Sequence, residues 1–102
     1  MFVLVAPDSD GPRPQFVDVQ NLNQLHVEFS GIADAMAGRA LEEAEIGSVE
    51  DGHAWLLISA LRSAGGGGPD WNERFDAMLR YARRNGWVDA AEARVRAHIV
   101  RS

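Results

Sequence analysis

Leu25-His26-Val27-Glu28-Phe29 alternates apolar and polar positions with a period of two. That is the period of a half-buried strand, and it turns Leu25, Val27 and Phe29 inward. The alternation returns near the end of the chain, with Val95, Ala97 and Ile99 on one side and Arg96, His98 and Val100 on the other. This predicts a closing strand over 94–100, with a helix continuing from Asp89 as its rival. Phe2 to Ala6 is a short run of β-formers that stops at Pro7, and Phe16-Val17-Asp18-Val19 follows the turn-rich segment Asp8 to Pro14. Strands near 2–6 and 16–20 joined by a long hairpin loop follow from that order. The run His53 to Ile58 holds four consecutive large apolar residues after the turn Glu50-Asp51-Gly52. It reads as a buried strand over 53–58, with Ser59 capping a short helix through Ala64. The alternative is a helix with Trp55, Ile58 and Leu61 as its stripe.

Helical spacing governs two other stretches. Ala33, Met36, Ala37, Ala40, Leu41 and Ala44 recur every three or four residues, predicting a helix over 31–45 with Ser30 as its N-cap. Trp71, Phe75, Met78, Leu79 and Ala82 form a stronger stripe over 70–85. There Asp70 and Glu73 have the spacing of a capping box, and Asp76 precedes Arg80 by one turn. Asn85-Gly86 supplies the stop signal, and Gly65 to Gly68 reads as a flexible connection. The pattern predicts one α+β domain over 1–102. Its expected form is a small, mainly antiparallel sheet of about four to five short strands, covered on one face by two main helices.

Composition removes whole classes of chemistry. The chain has no cysteine, lysine or threonine. There is thus no disulfide, thiolate nucleophile or cysteine-held metal, and no Schiff-base or phosphate-loop lysine. All ten basic side chains are arginines, which together with the many Ala, Gly and Asp fits high-GC bacterial coding. The net charge of −5 is uneven: three arginines and eleven acids before Trp71 give −8, while seven arginines and four acids from Trp71 onward give +3. An acidic total argues against nucleic-acid binding, which rests on neutralising phosphates. The start lacks the basic region of a signal peptide, and no apolar run reaches membrane-spanning length. The expected location is the cytoplasm, with no membrane partner.

No nucleophile elbow, dinucleotide-binding glycine motif or paired-histidine helix motif occurs. Asp8-Ser9-Asp10-Gly11 has the beginning of a calcium loop, but Pro12 stands where the fifth position needs a ligand. No catalytic residue, metal site or cofactor is expected. The acids Glu42, Glu43, Glu45, Glu50 and Asp51 read as a solvated helix end and turn. The basic C-terminal third reads as helix capping and internal ion pairing, and Trp55, Trp71 and Trp87 as core.

One surface stands out. Burying Leu25, Val27 and Phe29 sends His26 and Glu28 to the other face of their strand, and burying Val95, Ala97 and Ile99 does the same for Arg96 and His98. If the two strands are neighbours, His26, Glu28, Arg96 and His98 make one polar patch that suits an anion, a partner or a proton. The plain reading is a Glu28–Arg96 cross-strand ion pair beside solvated histidines. The function this supports is a non-enzymatic interaction or accessory module, with a protein partner or a homodimer. The alternative is a small-ligand-binding protein or minor enzyme with a pocket between sheet and helices.

Overall fold

A computed structural model describes residues 1–102. Its elements, in chain order, are β1 (Phe2–Ala6), β2 (Arg13–Val17), β3 (His26–Phe29), α1 (Asp34–Glu43), β4 (Gly47–Glu50), β5 (His53–Leu57), α2 (Ile58–Ala64), α3 (Pro69–Arg84) and β6 (Arg94–Arg101). The class is α+β. The sheet has six strands in the order β2-β1-β3-β6-β5-β4 and is mixed rather than mainly antiparallel. β1 pairs parallel with β3, and β3 parallel with β6, while the β1–β2, β4–β5 and β5–β6 pairs are antiparallel. Alternation in sequence is the same for either direction, so the pattern alone misses the parallel centre.

The additional strand is β4, whose Gly-Ser-Val-Glu sequence carries one large apolar residue and no readable alternation. It forms because Asp51 and Gly52 both take positive φ, 53° and 79°, in a two-residue turn that pairs Glu50 with His53. Such a turn matches the twist of a hairpin and tolerates few residues besides Asp, Asn and Gly. β2 covers 13–17 rather than 16–20. It is an edge strand, where Pro14 can pair across from Val5 without a backbone donor. Segments 53–57 and 94–101 are strands, so the helical alternatives for both regions fall.

Two helix starts shift from the expected positions, α1 later in the chain and α3 earlier. Ser30 does not cap α1, because its N–H donates to the Val5 carbonyl and that of Gly31 to the Ser102 carbonyl. Sheet pairing thus holds the backbone to Gly31, and the cap falls on Ala33. In α3 the cap is Gly68, with Pro69 in the first turn. Proline suits that position because its missing N–H would have no helical partner. Asp70 lies inside the first turn and pairs with Arg74 at 3.4 Å instead of forming a capping box. Asp76 meets Arg62 of α2 at 2.9 Å rather than Arg80.

All the helices feed one core. Val3, Val5, Val27, Phe29, Ala54, Leu56, Val95 and Ala97 alternate inward from the strands, against Ala37 and Leu41 of α1, Leu61 of α2, and Trp71, Phe75 and Leu79 of α3. α1 touches β4 at one end of the strand order and β1 and β2 at the other, so the sheet curls around it. Trp71 stacks on Phe75 with ring centroids 4.9 Å apart and donates its indole N–H to the Val19 carbonyl at 2.8 Å. Gly65 makes room for that indole, since a Cβ there would lie 2.3 Å from the ring. No helix is long and apolar enough to cross a membrane.

Candidate functional site

The opposite face of the sheet lies outside this core. Phe2, Leu4, Trp55, Leu57 and Val100 point there, and none of them packs into the buried cluster. Strand register then places side chains in rows across the face. Phe2 pairs with His26, His26 with His98, and Glu50 with His53. Because Ala54 pairs with Ala97, the preceding His53 falls opposite His98. The three histidines of the chain therefore stand in one line across β3, β6 and β5.

β3 and β6 are neighbours, and the patch expected from alternation is formed in part. The His26 ring stacks between Phe2, 4.8 Å away, and His98, 5.6 Å away. His26 Nε2 lies 3.9 Å from Glu28 Oε1. Burial holds the His26 pKa below the ordinary histidine value; Glu28 opposes that shift and His98 adds to it. Glu28 sits opposite Val100, not Arg96, so the expected Glu28–Arg96 pair does not form. Arg96 precedes the stretch of β6 that meets β3 and lies opposite Trp55 of β5.

The edge of β6 that carries β3 has a second occupant. Val88 bridges Val95, the Arg96 N–H donates to the Trp87 carbonyl at 2.7 Å, and the Asp89 N–H donates to the Arg94 carbonyl at 3.1 Å. β5 fills the other edge at those residues, so the Trp87–Asp89 segment continues the line of β3 and leaves a break between them. A slot of about 230 Å³ opens at this break. Met78, Tyr81 and Ala82 of α3 line it from the helical side, and Leu22, Asn23 and Leu25 from the loop before β3. Trp87 forms another wall, held edge-on against Tyr81 at 5.7 Å. His53, Arg96 and His98 stand on the open side, and no carboxylate is among the lining residues.

Arginine pairing sharpens the picture. Arg13, Arg62, Arg74, Arg83, Arg94 and Arg101 all meet carboxylates. Arg94 is the most heavily engaged: it meets Asp89 at 3.1 Å and Glu50 at 3.0 Å, and lies over the Trp55 ring at 5.4 Å. Its pKa is raised, first by the Asp89 hydrogen bond. That of Asp89 is lowered, first by the Arg94 backbone N–H. Arg39, Arg80 and Arg84 are exposed and unpaired, as solvated guanidinium groups are free to be. Arg96 alone is half-buried with no carboxylate and no side-chain hydrogen bond.

Alternation placed His26, Glu28, Arg96 and His98 on one face. It did not find His53, Tyr81 or Trp87. A signal for His53 was present, since His53, Trp55 and Leu57 alternate with Ala54 and Leu56, but the apolar run masked it. Of the tryptophans expected in the core, only Trp71 is fully buried there; Trp55 lies on the open face and Trp87 walls the slot. No group of three or more potential metal ligands lies close enough to hold an ion. No family model matches the chain, and neither curated proteins nor solved structures provide a match.

Proposed function

We propose that the domain is a non-enzymatic binding protein that takes a small molecule into the slot between β6, α3 and the Trp87 segment. The break in the sheet carries this reading, because it opens an apolar recess where a continuous ladder would have closed one. Ligand sites combine an apolar lining with a few convergent polar groups, and Arg96 and His98 supply such groups here together with His53. His26 and Glu28 lie outside the lining, and the His26 ring stacks on one side of His98. Neither His53 nor His98, the two histidines of the lining, has a carboxylate to orient it; the one histidine–carboxylate pair is His26–Glu28, outside the slot. The slot is smaller than typical drug-sized sites, which suits a ligand of one ring or a short chain. Ligand screening by NMR tests the reading. Amide and methyl signals of Met78, Ala82, Trp87 and Ala97 are expected to shift together with a fragment. A library that leaves all of them unmoved would overturn it.

A second reading, a protein-interaction module, rests on the half-buried apolar side chains Phe2, Leu4, Trp55, Leu57 and Val100, which lie outside the core. In its self-association form, sedimentation is expected to show a dimer that Leu4→Ser with Leu57→Ser dissolves. A monomer at every concentration removes that form.

A further inference from the structure

We infer that the slot selects small organic acids, with the apolar body between Met78 and Trp87 and the anionic group against Arg96. The inference rests on the slot being a ligand site and names what enters it. A guanidinium presents several N–H donors and cannot discharge by losing its proton. That of Arg96, on a half-buried residue, has no acceptor among the protein's own groups. Every other arginine of the chain escapes this position, either by pairing or by standing in solvent. The same is true of the slot as a whole: a chain with net charge −5 keeps every Asp and Glu out of the lining. Nearby acids are engaged elsewhere, Glu50 and Asp89 with Arg94 and Glu28 beside His26. A ligand carboxylate at Arg96 would therefore meet donors with no competing internal anion. It would also find His53 and His98 on the same rim.

Three probes of one shape separate charge from fit: 3-phenylpropionate, 3-phenyl-1-propanol and 3-phenylpropylammonium, titrated into the full chain and followed by NMR. The acid is expected to bind about tenfold tighter than the alcohol, the scale of one charge-assisted hydrogen bond. The ammonium probe is expected to bind weakest. Arg96→Gln should bring the acid down to the level of the alcohol while leaving the alcohol unchanged. Arg80→Gln, at an exposed and unpaired arginine of α3, should alter neither. The wild-type comparison needs no variant, so a failure of Arg96→Gln to fold leaves the test intact. Equal binding of acid and alcohol overturns the inference while the slot remains a binding site. If no probe moves the slot signals, both readings fail.

Discussion

On the covered face, Val3, Val27, Val95 and Ala97 are at most 4% exposed and bring no side-chain polar atom with them. One step along the same strands, Phe2, His26, Arg96 and His98 are half-buried or exposed and hold the titratable groups and the unpaired guanidinium. Backbone and hydrogen-bonded register are shared, so the difference between the faces comes from what lies over them. α1, α2 and α3 remove water from the first face, where shape and apolar area decide which residues are tolerated. No helix packs over the second face, which leaves it free to carry groups a core would reject. The slot is where the two environments meet, because the interrupted edge of β6 lets an opening reach from the helical side to the polar side.

The largest effect should come from the covered face. Phe75 is 0% exposed, stacked on Trp71 and under the Arg62 guanidinium at 4.9 Å. Phe75→Ala is expected to destabilise by about 3–5 kcal/mol, measured by denaturant unfolding. An unchanged midpoint would show that the two faces do not differ in their share of stability. Overpacking the same region should act next. Gly65→Ala forces a Cβ against the Trp71 ring and is expected to cost about 1–3 kcal/mol. A stable Gly65→Ala protein whose Trp71 fluorescence matches wild type would place the indole elsewhere.

Smaller effects belong to the open face, and one of them depends on pH. The folded state holds His26 below its ordinary pKa, chiefly by burial. The unfolded chain therefore binds the proton more readily, so stability is present while His26 is neutral and falls as pH drops through the ordinary histidine range. His26→Gln should flatten the decline in unfolding midpoint between about pH 7 and about pH 5. Identical slopes in wild type and variant would assign the pH dependence to other groups. Smallest of all, Leu57→Ser at a half-buried position on the open face should cost about 1 kcal/mol, below either core substitution. A core-sized loss from Leu57→Ser would erase the contrast between the faces.

Alternation along 25–29 and 94–100 was legible without coordinates, because a strand with one buried face must repeat every two residues. It assigned His26, Glu28, Arg96 and His98 to the side opposite Val27 and Ala97. The stripe Trp71, Phe75, Leu79 likewise marked the helix that buries it. Sequence did not reveal which strands are neighbours or in which direction they run, since side-chain period carries no record of the partner. Only the tertiary structure set β3 parallel to β6, with Glu28 opposite Val100 and His53 in line with His26 and His98. It also set Trp87, which reaches β6 through a local turn, on the same edge as β3, which comes from far earlier in the chain. Local patterns determined the faces of this protein because each strand or helix sorts its own side chains. The slot needed the assembled fold because it is a gap between two segments, Leu25–His26 and Trp87–Val88, that meet only on a third.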